Sequence, residues 1–396
     1  MTTILQRAQA LAPKLSAIRR DIHQHPELSF QEHLTAALVA DTLRSLGIRV
    51  ETGIGKPGLV GYLGTEGPVV ALRADMDALP MQELNLVEYA SQVPDVMHAC
   101  GHDAHVACLL GAAMLLRDME FPGQVRLLFQ PSEEGMDAEG RSGAQRMIED
   151  GAMDGVEAIF GLHVESLHDV GTVHVSAGPI AASLDDFKLA VKGVATHAAS
   201  AYQGIDAILL TAQVVSALHT IVSRRIPPAK LGAVSVGTIH GGTRRNTLAD
   251  RVEMEGTVRC YDPQVRQTLL AEVKRAGELA RTLGGDYELT LSGGYPAVVN
   301  DSALAELVRL VAARLVGEDA VHPMEPDPGS EDFSYFLQKA PGCYFLLGVH
   351  KPGAPRCFLH SPHFDMDESA LPLGAAMLAQ SALDYLEQRR DGSSNR

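Results

Sequence analysis

The 396-residue chain has little of what would tie it to a nucleic acid, a membrane or an oxidising compartment. Its 33 basic residues face 49 acidic ones, a formal charge of −16, and form no basic stripe. Nucleic-acid binding needs such clusters to displace counterions, so that class of partner is excluded. The same negative balance disfavours anionic membrane surfaces and favours solubility. The longest apolar run, Val106 to Leu116, is well short of the ~20 residues a bilayer span needs. The five cysteines (100, 108, 260, 343 and 357) are odd in number and sparse, which is no disulfide framework. Met1 to Arg7 carries no charged-then-apolar signal pattern. The expected compartment is therefore the cytoplasm. No internal repeat occurs, and the one low-complexity stretch is the polar tail Arg389 to Arg396, which is expected to fray. The serine elbow G-x-S-x-G and the zinc-protease helix H-E-x-x-H are both missing.

What is present is an ordinary globular composition, 46% hydrophobic and 21% charged. At about 150 residues per domain the length suggests two or three domains. Apolar runs at Leu59–Leu63, Val69–Leu72, Val125–Phe129 and Ala158–Leu162, bounded by turn residues, read as buried strands. Helical spacing at Leu34–Leu46 ends on Gly47, and Ala104–Arg117 reads as a buried helix. Strands alternating with helices imply an α/β class with both sheet faces covered. The middle of the chain changes character. Arg251–Arg259 alternates apolar and charged residues, the mark of an antiparallel strand with one wet face. Val265, Leu269, Val273, Ala276 and Ala280 line one helical stripe. Residues 184–296 therefore read as a β-α-β-β-α-β unit inserted into a larger domain made of 1–183 and 297–396.

Chemistry concentrates in a few short segments. His98-Ala99-Cys100-Gly101-His102-Asp103-Ala104-His105 packs thiol, imidazole and carboxylate donors together, a set that suits a borderline-soft ion such as Zn²⁺. In Gln130-Pro131-Ser132-Glu133-Glu134-Gly135, neighbouring carboxylates in extended chain point apart. One can hold metal while the other acts on water, the division that metal-assisted hydrolysis requires. Asp75 and Asp77 follow one predicted strand, Glu133 and Glu134 another, and His163 is placed at the end of a third. In open α/β sheets that edge is where sites assemble, so a polynuclear metal site is the leading expectation. Gly53-Ile54-Gly55-Lys56-Pro57-Gly58 matches a dinucleotide loop only in its glycines. A strand follows where a phosphate-binding helix would be needed, which removes a nicotinamide oxidoreductase. A metal-binding but catalytically silent partner protein is the competing class, and turnover separates it from an enzyme.

Arg73–Pro80, Met97–His105, Gln130–Gly135, Gly161–Val164, Gly329–Phe333 and Leu359–His363 together resemble the amidohydrolase (aminoacylase and hippurate hydrolase) branch of the co-catalytic metallopeptidases. That branch includes bacterial N-acyl-amino-acid hydrolases and plant auxin-conjugate hydrolases. The resemblance implies two divalent ions, Zn²⁺ or Mn²⁺ first and Co²⁺ or Ni²⁺ as alternatives. They would be held by Cys100, His102, Glu134, His163 and His360, with the Cys100 thiolate bridging. It implies Glu133 as general base, Asp75 as a group fixing ligand orientation, and His197 as a lid residue stabilising the oxyanion. Asn246 and Arg259 would contact substrate. The implied fold is an α/β catalytic domain with a mostly parallel sheet, plus an inserted α+β lid that forms a homodimer or homotetramer. The implied reaction releases a carboxylic acid and a free amino acid from an N-acyl amino acid. A carboxypeptidase or dipeptidase of the same family is the alternative. The sequence departs from the usual pattern after the Glu pair, after His163 and around Ala201-Tyr202, all positions that bear on substrate preference.

Overall fold

In a computed structural model, residues 2–393 are described. They divide into two compact units, one of residues 1–178, 299–325 and 335–396, the other of 179–298 and 326–334.

The first unit is built on an eight-stranded sheet. Its strands lie in the order Arg49–Thr52, Leu59–Gly64, Gln124–Gln130, Val69–Asp75, Ala158–Asp169, Gly342–His350, Val173–His174 and Val321–His322. The central pairings are parallel, with Arg73 opposite Leu128 and Gly161, and Leu346 opposite His163. Parallel strands buried on both faces read as apolar runs, and the helices that cover them explain why. The helix His102–Leu116 is buried at every position, as a helix apolar on all sides must be. It crosses the C-terminal helix Leu371–Ser393 closely. A Cβ on Gly111 would stand 2.7 Å from the Ala375 Cβ, and one on Gly374 would stand 2.5 Å from the Cys108 sulfur.

Two expectations are corrected here. The strand expected to end at His163 runs on to Asp169. Past His163 its residues alternate between buried and half-buried, a one-face-wet pattern that a search for apolar runs does not register. The ladder with Val69–Asp75 stops at Arg73 and Gly161, so His163 still lies beyond that neighbour's pairing. The tail expected to fray continues as helix to Ser393; residues 394–396 lie outside the described residues. The glycine-rich Gly53–Gly58 is a turn, with the Gly53 and Ile54 amides donating to the Gly58 carbonyl before the next strand begins.

The second unit is a four-stranded antiparallel sheet in the order Asp286–Gly293, Ser183–Lys192, Arg251–Cys260 and Gly232–Gly241, with the helices Ala207–Arg225 and Pro263–Thr282. The stripe Val265, Leu269, Val273, Ala276 and Ala280 is buried against Leu210, Val214, Leu218 and Ile221. The helix Ala207–Arg225 is long and apolar enough to cross a membrane, yet this stripe serves as core. Pro326–Ser334 joins this unit because the Asp327 amide donates to the Ile180 carbonyl and the Ala182 amide to the Asp327 and Gly329 carbonyls.

Candidate metal centre

The site lies in the first unit, where the strands Val69–Asp75 and Gln124–Gln130 give way to loops. Gly101 starts it. At φ +83° it takes a left-handed conformation, and a Cβ there would meet the Val164 Cγ2 at 2.4 Å. Glycine alone fits both demands, and the helix that follows opens directly on His102. Cys100 and His102 thus flank a tight corner.

Ligand atoms converge around that corner. Cys100, His102 and His163 offer donors within 4.8 Å of one another, and so do Cys100, Glu134 and His360. The thiol belongs to both groups. Its sulfur is 3.3 Å from the Nε2 of His163 and 3.3 Å from the Nε2 of His360. Glu133 joins His102 and Glu134 in a third such group. Glu134 Oε1 lies 3.0 Å from the Nε2 of His360 without hydrogen-bond alignment, and the buried His102 Nε2 has no hydrogen-bond partner among the described residues. Buried polar atoms are seldom left this way. Ligand-type atoms gathered this closely, with His102 Nε2 and Glu134 Oε1 left unpaired among the described residues, fit cations.

The tautomers agree. The Nδ1 of His102 donates to Asp77 Oδ1 at 3.1 Å, and the Nδ1 of His163 donates to the Val164 carbonyl at 2.7 Å. Each turns Nε2 toward the cluster, the usual way a ligand histidine is oriented. His105 differs. Its Nδ1 donates to Asp75 Oδ1 and its Nε2 accepts from the Val164 amide, so both nitrogens are engaged and it braces the site.

Electrostatics point the same way. Burial, then the carboxylates Glu134, Glu133 and Asp75, push the Cys100 thiol well above its ordinary range. Such a thiol ionises when a cation shares the cluster. Burial would lower the His102 imidazole, but Asp75 and Asp77 outweigh it and raise it to about 10. Burial would raise Asp75, but the Arg73 guanidinium and the two imidazoles beside it hold it well below the usual carboxylate range. The centre carries more negative charge than its own cations balance.

Asp77 is the residue whose role the sequence reading missed. Fully buried, it takes the His102 Nδ1–H, the amides of Glu133 (3.1 Å) and Glu134 (2.9 Å) and the Ser29 hydroxyl (2.7 Å). Asp75, expected to fix ligand orientation, bonds to Arg73 at 2.7 Å and to His105, and its Oδ2 lies 3.7 Å from the Nε2 of His102. The available signal was the D-x-D spacing after the strand, which marks two carboxylates and not their division of labour.

The remaining expected site residues lie in the second unit. His197 is exposed, bridged to Thr247, and its Nδ1 accepts from the Ala199 amide at 3.1 Å. Its proton is therefore on Nε2, facing away from that turn. Asn246 is its neighbour across the bridge, its carbonyl accepting from the Ala198 amide at 3.0 Å. Arg259, in the strand Arg251–Cys260, donates to the Pro328 carbonyl at 3.3 Å.

Two donor triads sharing one thiol, at the edge of a mostly parallel sheet, define a hydrolase that works with a pair of divalent ions. Comparison with known proteins makes this specific. Residues 71–384 match the model of peptidase family M20/M25/M40, and the chain belongs to that family. It is 42% identical to thermostable carboxypeptidase 2 of Saccharolobus solfataricus, over 93% of this chain and 94% of the relative. It is 39% identical to N-acetylcysteine deacetylase of Bacillus subtilis, over 96% and 98%. Among solved structures it is similar to a dinuclear metal-binding M20 peptidase from Bacillus subtilis, with a TM-score of 0.83 and 36% identity over 96% of this chain and 99% of that one.

Proposed function

We propose that this protein is a metal-dependent amidohydrolase that cleaves the amide bond of N-acyl amino acids to a carboxylic acid and a free amino acid. The observation that carries the reading is the shared thiol, with Cys100, His102 and His163 on one side and Cys100, Glu134 and His360 on the other. When bound, the two ions lower the pKa of water and polarise the amide carbonyl. Glu133, which does not share the Cys100 groups, takes the proton from water and returns it to the departing amine. His197 presents an Nε2–H suited to a developing oxyanion, and Asn246 and Arg259 are its partners in holding substrate. Asp75 acts through His105. Relatives named as an N-acetylcysteine deacetylase and as IAA-amino acid hydrolases favour the acyl substrate. The relatives named carboxypeptidase favour a second reading, in which the free carboxylate side is a peptide end.

The finer assignments are proposals of the same kind. The thiolate, imidazole and carboxylate donors suit Zn²⁺ or Mn²⁺ and tolerate Co²⁺ or Ni²⁺. The five free cysteines suit the cytoplasm. The unit expected as 1–183 and 297–396, and found without 179–183 and 326–334, forms the catalytic domain, and the unit built on 184–296 forms a lid and dimerisation domain. Exposed Ile208, Leu209 and Ile239, the last on the edge strand Gly232–Gly241, suit a homodimer or homotetramer through that domain.

The test compares Glu133→Gln with Glu134→Gln. Glu133→Gln should keep both ions by elemental analysis and lose turnover by about 10²–10⁴-fold. Glu134→Gln should lose metal. Near-normal turnover by Glu133→Gln would sink the assignment.

A further inference from the structure

The segment that carries Glu133 and Glu134 is hung from two buried carboxyl groups. Three successive amides reach them: Ser132 donates to Glu32 Oε1 at 2.7 Å, Glu133 to Asp77 Oδ1 and Glu134 to Asp77 Oδ2. Asp77 also orients His102. Glu32 touches no ligand in this way, is fully buried, and comes from the turn before the helix His33–Ser45. Ser132, at φ +50°, is left-handed, a state that a residue with a Cβ adopts only when its surroundings impose it. Those surroundings are visible. Besides the bond to Glu32, the Ser132 carbonyl accepts from the Gly143 amide at 2.9 Å and its hydroxyl donates to the Gly135 carbonyl at 3.0 Å. The left-handed step lies immediately before the two glutamates whose carboxylates reach the His102 donor group.

We propose that Glu32 is a positioning residue for the hydrolytic reaction, accepting the Ser132 N–H to hold the turn that aims Glu133 and Glu134 at the metal centre. The inference rests on the roles given to Glu133 and Glu134 above. Burial, then the Asp77 carboxylate, push the Glu32 carboxyl up to about 8, so an amide is a close mimic of it at neutral pH.

The test is a series in the metal-loaded enzyme: Glu32→Gln, Glu32→Leu and, as a reference, Glu133→Gln. Turnover, metal affinity by competition with a chelator, and hydrogen exchange of the peptide spanning 128–136 are read together. Glu32→Gln should stay within about threefold of wild type in turnover and affinity, because its carbonyl still accepts the Ser132 amide. Glu32→Leu should lose roughly 10–100-fold in kcat or metal affinity, with KM little changed and faster exchange at 128–136. Wild-type kcat and affinity in Glu32→Leu would overturn the inference, and so would a Glu32→Gln as impaired as Glu32→Leu. Should Glu32→Leu fail to fold, Glu32→Asp takes its place, since it draws the acceptor back by one methylene; wild-type turnover there is equally fatal. An active Glu133→Gln would instead overturn the parent reading. An inactive Glu133→Gln beside an unimpaired Glu32→Leu would remove only this one.

Discussion

Replacing Asp77 by Asn changes one atom of a side chain that has no exposure and four partners. The best placement keeps the carbonyl oxygen where Oδ1 was, still accepting from His102 Nδ1 and the Glu133 amide. The new amide nitrogen then faces the Ser29 oxygen, which can accept, and the Glu134 amide, which cannot. One hydrogen bond to a charged group, about 1.5–3 kcal/mol, is lost, and a buried donor without a partner adds about 1–3 kcal/mol. Together they destabilise the metal-free protein by about 2.5–6 kcal/mol. His102 also loses its charged partner and becomes a poorer ligand, so metal affinity should fall roughly 10–100-fold. Urea unfolding of the stripped protein reads the first effect, and titration against a competing chelator reads the second. Stability within about 0.5 kcal/mol of wild type, together with unchanged affinity, would refute the role given to Asp77.

Asp103 predicts an acid limb. Burial would raise its carboxyl, but Arg19, with its Nε 2.7 Å away, and His23 hold it far below the usual range. Its folded pKa is depressed, so its contribution is complete above the unfolded value of about 3.9 and is lost as pH falls below it. Asp103→Asn should cost about 3 kcal/mol at neutral pH by removing the nearest carboxylate from buried Arg19 and leaving it only Glu368 at 3.5 Å and Asp365 at 3.6 Å, yet flatten the dependence of the urea midpoint below about pH 4; an unchanged slope contradicts this. Gly101→Ala forces a Cβ to 2.4 Å from Val164 Cγ2 in a left-handed backbone. It should destabilise the fold by about 1–2 kcal/mol for the backbone alone and weaken metal binding, and wild-type affinity would count against the corner geometry. Restoring metal to stripped protein at 100 times Kd should stabilise it by about 2.7 kcal/mol per site, read as a rise in Tm; no rise would contradict a cation-binding centre.

Much of the fold was legible because both units obey simple periodicity. Buried parallel strands such as Val125–Phe129 appear as apolar runs, and the stripe from Val265 to Ala280 appears as helical spacing. The strand through His163 was cut short because its second half alternates, and an apolar-run criterion sees only the first half. The metal donors were legible for a local reason: Cys100 and His102 flank one glycine, and Glu133 and Glu134 are adjacent. What holds them was not. Asp77 sat in a visible D-x-D, but spacing cannot tell which carboxylate faces the His102 ring and which pairs with Arg73. Glu32 left no trace at all, because its partner Ser132 is 100 residues away and the bond uses a backbone amide that any residue there would offer.

The central claim is metal-dependent cleavage of an acyl amide, and one assay tests it most directly. A pooled panel of N-acetyl, N-benzoyl and indole-acetyl amino acids, with dipeptides included, is scored by mass spectrometry. The protein is stripped and then reconstituted with Mn²⁺ or Zn²⁺. The account predicts cleavage of acyl conjugates only after metal is restored, with the free amino acid released. Cleavage of dipeptides alone would move the enzyme to the carboxypeptidase reading, and turnover that survives complete metal removal would contradict the account.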